Sequence, residues 1–214
     1  MKRDLKQFGS WAHPAAALSP LLLLSSCISL LPEPPPPPRV FVLEAAEVAP
    51  SATSAIEAVI AVALPTGERS LLGTDLVWRT GDELAFVAQS QWSNRAELAL
   101  QSILVETLIR QHGFSAATRT GEARGDYEIR WEVLDFEVAE ASMTARFVAD
   151  VKLVALPGRR VIAQEIIAAE APVADRASSA AAQALARAAR EGSARIGEFA
   201  VMNAAQASAA SISR

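Results

Sequence analysis

Tyr127-Glu128-Ile129-Arg130-Trp131-Glu132-Val133 alternates apolar and charged residues, and Leu134-Asp135-Phe136-Glu137-Val138 continues the alternation with its phase moved by one position. Successive side chains of a strand point to opposite faces, so the first run predicts a half-buried strand with one dry face. The phase change would turn the apolar set over to the wet face unless a β-bulge or a strong twist near Val133 absorbs it. Further along, Ala145, Phe147, Ala149, Val151 and Leu153 alternate again, Pro157-Gly158 marks a turn, and Val161 to Ala169 supplies a returning strand. This is an antiparallel pair.

Working back from that core, Val40 to Leu43 and Ala55 to Leu64 are β-prone runs, the second closed by Pro65 and a Thr66-Gly67 turn. Leu76 to Arg79 and Leu84 to Ala88 flank Thr80-Gly81-Asp82, a hairpin signal. After Trp92 the period becomes helical: Leu98, Leu100, Ile103, Leu104, Val105, Leu108 and Ile109 spread over most of a helical wheel, and Arg95, Ser102, Glu106 and Arg110 share one stripe. Asn94 with Glu97 reads as a capping box, Glu106 with Arg110 as an i,i+4 pair, and Gly113 as the left-handed stop. Phe114 to Thr118 returns to the sheet, and Gly121 to Gly125 is a loop.

The last element, Ser178 to about Met202, is an alanine-rich helix with Leu185, Ala189, Gly192, Ile196 and Phe199 recurring at three and four, a seam small enough to lie close to a sheet. Gly192 and Gly197 each cost about 1 kcal/mol relative to alanine, so the last turns are expected to fray. The expected fold class is α+β: a single mixed, largely antiparallel sheet with two helices packed on one face and charges on the other. Sheet and helix packing uses up the apolar stripes, and no acyl-sized internal pocket is expected in a monomer.

The start of the chain has a different character. Leu24-Ser25-Ser26-Cys27 follows an apolar run, Ala15 to Leu24, preceded by Lys2, Arg3 and Lys6. That run is too short to span a bilayer but suits a signal-peptide core. A basic head, an apolar middle and small residues before a cysteine form a bacterial lipobox; the plainer readings are an ordinary secretory signal with a chance cysteine, or a short buried helix. The lipobox predicts a signal peptide over residues 1–26 and a mature N-terminus at Cys27 carrying diacylglycerol and an amide-linked acyl chain such as palmitate. Each buried methylene of such an anchor contributes about 0.8 kcal/mol. Ile28 replaces the Asp that retains enteric-type lipoproteins in the inner membrane, so the expected location is the outer membrane, facing the periplasm. Residues 27–39 form a tether in which Pro32, Glu33 and Pro34 to Pro38 favour an extended polyproline spacer of roughly 20 Å. Residues 40–203 form one domain, and 204–214, small and polar, a disordered tail.

The 214-residue chain has 20 Lys and Arg against 24 Asp and Glu. Loss of Lys2, Arg3, Lys6 and Asp4 with the leader leaves 17 against 23, a net charge of −6. Such a balance argues against nucleic acid and against a polybasic membrane patch. Cys27 is the only cysteine, which removes internal disulfides and thiolate metal sites. Past the leader one histidine remains, His112, placed at a helix C-terminus where it can meet free carbonyls. Neither a G-x-S-x-G elbow nor a phosphate-binding glycine loop occurs, and the carboxylates lack metal-ligand spacing. No catalytic residue, metal site or cofactor is expected. Trp92 and Trp131 read as core. Leu71 and Leu72, in a loop from Gly67 to Asp75, and Trp78, in the hairpin, are the candidates for a partner interface.

Gly73-Thr74-Asp75-Leu76-Val77-Trp78-Arg79, Leu84-Ala85-Phe86, Gln91-Trp92-Ser93, Leu100-Gln101-Ser102-Ile103-Leu104-Val105-Glu106, Asp126-Tyr127-Glu128-Ile129 and Asp135-Phe136-Glu137, in that order, resemble the ABC-type transport auxiliary lipoprotein family, which includes PqiC-like proteins. The resemblance implies a non-catalytic, outer-membrane-anchored accessory of a mammalian-cell-entry (MCE) transport system, whose permease, ATPase and MCE-domain proteins move phospholipid or sterol-like lipid across the envelope. Those proteins and the membrane, through the N-terminal lipid, are then the partners; a homo-oligomer is left open. The proline-dense tether and Val42, where relatives often carry tyrosine, depart from the family pattern. A lipoprotein that activates a cell-wall synthase or assists envelope assembly is the alternative, and a carboxylate hydrolase a distant third.

Overall fold

The computed structural model describes residues 36–45 and 55–212. The lipobox residues Leu24, Ser25 and Ser26, Cys27, and the tether as far as Pro35 lie outside them. The elements run β1 (Arg39–Phe41), β2 (Ile56–Val62), β3 (Thr66–Gly67), α1 (Arg69–Leu72), β4 (Asp75–Thr80), β5 (Glu83–Trp92), α2 (Ala96–Gln111), β6 (Phe114–Arg119), β7 (Tyr127–Ala139), β8 (Thr144–Ala155), a 3-10 turn at Pro157–Arg159, β9 (Arg160–Pro172) and α3 (Ser178–Ile212).

All nine strands join one mixed sheet centred on β7. Antiparallel β8 follows one edge of β7 along its length, and β9 lies outside β8, again antiparallel. Three parallel strands share the other edge in turn: β2 beside Tyr127 to Ile129, β3 beside Glu132 and Val133, and β4 beside Val138 and Ala139. Strand β2 carries β6, and β4 carries β5 and then β1. The long antiparallel ladders are therefore joined to short parallel segments, as the mixed sheet expected from sequence requires.

The phase change in β7 is a bulge. Val133 pairs with Ala149 and Asp135 with Val148, leaving Leu134 as the extra residue. Ile129, Trp131, Val133, Phe136 and Val138 consequently all reach the core, beside Phe147, Ala149, Val151 and Leu153 of β8. Helix α3 packs on β7, β8 and β9, and α2 packs on β2, β6 and α3. Trp92 stacks on Phe136 with centroids 6.0 Å apart, Phe136 meets Phe147 edge-on at 6.5 Å, and Trp131 donates its indole N–H to the Ala63 carbonyl at 2.9 Å. Both tryptophans are core residues, as their strand positions imply.

Four local expectations are corrected. Thr66-Gly67 is a short strand, not only a turn, because Gly67 lies against β7: a Cβ there would stand 2.6 Å from the Val133 carbonyl oxygen. The loop from Gly67 to Asp75 contains a single helical turn, α1. The capping box does not form; Arg95 is the N-cap of α2 without a side-chain cap, its own guanidinium pairs with Glu97 at 2.9 Å, and Asn94 accepts only from the Arg95 N–H. The left-handed residue at the other end is His112, at φ 53°, and not Gly113. Gly113 is needed for room, since a Cβ would fall 2.2 Å from Val201 Cγ2.

Helix α3 also departs from expectation, because it continues through Ile212 where a disordered tail from Ala204 was expected. Tertiary contacts sustain it. Ala204 is fully buried, and Ser208 Oγ lies 3.2 Å from the Tyr127 hydroxyl. Gly192 and Gly197 are not points of fraying either. Cβ atoms built on them would lie 2.2 Å from Phe147 Cδ1 and 1.9 Å from Gln111 Oε1, so both glycines are where α3 touches its neighbours most closely.

Candidate functional site

The three interface candidates separate. Leu71 and Leu72, on the single turn α1, are 1% and 3% exposed and belong to the core. An apolar pair in a polar loop needs either a partner or a place to tuck in; here it tucks in. Trp78 of β4 is half-buried between Ala85 of β5 and Val138 of β7. Its hairpin, closed through Gly81 at φ 60°, carries Phe86 with 54% of its surface in solvent. Strand β1 pairs with β5 only from Ser90 to Trp92, and upstream of Arg39 stand Pro36 to Pro38, which have no N–H to extend a ladder. Among the described residues no strand pairs with the outer edge of β5 near Phe86.

The outer edge of β9 is handled differently. Arg187 of α3 donates to the Pro172 carbonyl at 2.8 Å, and Arg195, one exposed face further along, donates to the Ala168 carbonyl while pairing with Glu191 at 3.0 Å. These arginines occupy acceptors that would otherwise template another strand. Among the described residues this arginine cover stops at Ala168. There β9 and α3 part around an open groove of about 540 Å³, lined by Glu165, Ile166, Ile167, Arg195, Phe199 and Met202, with Ala168 and Glu198 completing it. Ile166 and Met202 face solvent over 64% and 52% of their surface.

The sequence reading missed this groove. Gln164-Glu165-Ile166-Ile167 carries an isoleucine at the solvent-facing parity of β9, opposite Asp150 on the sheet face away from α3, beside the isoleucine that reaches the core. Met202 gives no signal, since a helix seam tolerates it anywhere.

Chemistry is sparse elsewhere. Among the described residues no group of three or more His, Cys, Asp or Glu could hold a metal ion. His112 is exposed at its helix end. The wet face of the sheet carries ion pairs that serve the fold: Glu137, wholly buried, accepts from Arg79; Glu128 accepts from Arg130 and from Thr120 Oγ1 at 2.8 Å; and Arg146 bridges Asp135 at 3.2 Å and Glu170 at 3.4 Å. The Glu137 carboxylate raises the pKa of the Arg79 guanidinium above its usual value through their hydrogen bonds. At the turn after β7, the Thr80 hydroxyl and then the Arg176 guanidinium hold the Glu140 carboxyl below the usual carboxylate range. Glu122 is lowered in the same direction, chiefly by the Arg119 backbone N–H and the Thr118 hydroxyl. These groups are matched to partners rather than poised for proton transfer.

A family model described as ABC-type transport auxiliary lipoprotein component matches residues 41–197. The fold is shared with protein XCC0632 from Xanthomonas campestris, of family DUF330, at 20% identity and a TM-score of 0.72, over 79% of this chain and 98% of that one. A second crystal structure, of an uncharacterized protein, aligns at 12% identity and a TM-score of 0.62, covering 77% of this chain and 99% of the other. No curated protein matches the sequence.

Proposed function

The chain belongs to the ABC-type transport auxiliary lipoprotein family, and from that premise we propose that it is a non-catalytic accessory subunit of an MCE-type transporter, held at the outer membrane by lipid on Cys27 and moving no substrate itself. The family match, which spans the folded domain from β1 into α3, is the observation that carries the reading. The use of the wet-face carboxylates in ion pairs supports it, as does the lipobox ahead of a proline-rich tether. An adaptor of this kind works by position. Its domain needs a rigid scaffold, an anchor, and surfaces for the permease, the ATPase or the MCE-domain protein, with phospholipid or sterol-like lipid as the cargo of the whole assembly.

Capture of the tagged full-length chain from its own host is expected to bring down the permease and MCE subunits, and membrane fractionation to place it with the outer membrane. Replacement Cys27→Ala is expected to leave the domain folded, release it from the membrane and reduce lipid transport by the host. Capture of cell-wall synthase subunits alone, or wild-type transport with the unlipidated form and no other tether, would sink the proposal.

A further inference from the structure

The bulge in β7 has a second effect, on the sheet face turned away from α2 and α3. Val133 and Phe136 both reach the core, so the two residues between them, Leu134 and Asp135, both point to the opposite face. Asp135 lies opposite Val148 of β8, and Val148 opposite Ala168 of β9. Two residues earlier on β9, Ile166 lies opposite Asp150 on that same face. Leu134, Val148 and Ile166 therefore form an apolar diagonal over three adjacent strands, with ends 39% and 64% exposed and a half-buried middle. Two strand spacings make it about 10 Å wide, the width of one α-helix. A lone exposed leucine is ordinary, whereas a row crossing three strands is a contiguous surface.

The flanks of the diagonal select its occupant. Glu132 stands directly opposite Asp150, two like charges side by side next to the apolar row. Asp150 is engaged by Gln164 Nε2 at 2.8 Å and by Lys152 Nζ at 3.3 Å, but Glu132 is exposed and has no ion-pair partner among the described residues. On the other flank Asp135 and Glu170 share Arg146. The two flanking cations, Arg146 and Lys152, are thus already paired. An anionic lipid headgroup would meet carboxylates and no free cation. A second copy of the same face would set acidic groups against their own equivalents. Strand β8 lies between β7 and β9, and β7 has neighbours on both edges, so an added strand has no backbone to pair with at the centre of the row. A helix meets all of these conditions through side chains alone, with an apolar stripe on Leu134, Val148 and Ile166 and a lysine or arginine on Glu132.

We infer that the open face of β7, β8 and β9 is a docking site for an amphipathic helix of a partner protein, its apolar stripe bordered by basic residues. The inference rests on the accessory-subunit reading for its biological sense, and assigns a partner chemistry to one surface of that subunit.

The test uses the mature full chain, with circular dichroism confirming that each variant is folded and sedimentation velocity following self-association. Fluorescence anisotropy measures binding of an amphipathic lysine–leucine peptide and of a glutamate–leucine peptide of the same length, and flotation measures binding to phosphatidylglycerol vesicles. The lysine–leucine peptide is expected to bind in preference to the other two probes. Its affinity should fall about tenfold in the double variant Leu134→Ser, Ile166→Ser and about threefold in Glu132→Lys. Met202→Ser, which removes an equally exposed apolar side chain from α3 across the sheet, should leave it unchanged. The inference is overturned if the lysine–leucine peptide does not bind, if the double variant or Glu132→Lys binds it as the wild type does, or if Met202→Ser weakens it as much as the double variant. Vesicle binding or self-association that is lost when Leu134 and Ile166 are replaced would overturn it too. Capture of transporter subunits by the wild-type chain is scored separately, so that failure of this surface and failure of the transport role give different results.

Discussion

The two long helices cover one sheet by opposite means. Helix α2 buries bulk, with Leu100, Ile103, Leu104 and Leu108 at 2% exposure or less, and reaches its neighbours through long side chains. Helix α3 buries alanine and glycine, with Ala181, Ala184, Ala188, Ala189 and Ala200 fully covered, and brings its backbone close to Phe147 and Gln111. The difference shows where the bulk must come from: a small-residue helix is well packed only if the opposite surface supplies large rings, as β8 does with Phe147. In one helix the risk from mutation is an empty space, and in the other it is a crowded one.

Removing bulk from α2 should give the largest effect. Leu104→Ala, fully buried, is expected to lower unfolding free energy by about 2–5 kcal/mol in urea denaturation, through lost transfer energy and the cavity left behind. Adding bulk to α3 comes next. Gly192→Ala gains about 1 kcal/mol of helix propensity, but its methyl meets the ring of the wholly buried Phe147, and a net loss of about 1–3 kcal/mol is expected, partly recovered in combination with Phe147→Leu. A stabilised Gly192→Ala would break the contrast between the helices.

At Gly197 the obstacle is different. The methyl of Gly197→Ala meets the amide end of Gln111, whose Nε2 donates to the Ala194 carbonyl at 3.0 Å. Displacing this 1%-exposed side chain leaves its amide unpaired, a cost of about 1–3 kcal/mol that outweighs the propensity gain of about 1 kcal/mol, so the midpoint of denaturation should fall, by less than in Gly192→Ala. The smallest effect concerns the connection into α3, where Arg176 and Thr80 engage Glu140. Its folded-state pKa lies below the ordinary 4.5, so the contribution is present above that pH and is lost as pH falls through the lowered value. Glu140→Gln should lower the thermal midpoint slightly at neutral pH, where the contribution is present, leave it little changed well below pH 4.5, and so remove part of the acid sensitivity of unfolding.

Much of this arrangement is legible in the chain because it follows from local periodicity. The alternation from Tyr127 to Val138, with its break, announces both the central strand and the bulge, since only a looped-out residue keeps Val133 and Phe136 on one face. The hairpin at Gly81-Asp82, the leucine-rich helix and the seam of α3 follow from turn chemistry and spacing in the same way. The interface candidates were half legible: the sequence identifies Leu71 and Leu72 as apolar residues out of place, but the fold supplies the cover they lacked and leaves Phe86 as the exposed member of the hairpin.

By itself the sequence determined which faces are dry, where the sheet's long strands lie, and that the domain carries neither cysteine chemistry nor a recognisable catalytic motif, because each of these depends on residues within a few positions of one another. Tertiary structure alone decided three other matters: why Gly113, Gly192 and Gly197 are glycines, how far α3 runs, and where β9 and α3 part beside Met202. Those depend on Val201, Phe147, Gln111 and Tyr127, residues distant in the chain that become neighbours only when the sheet closes against its helices.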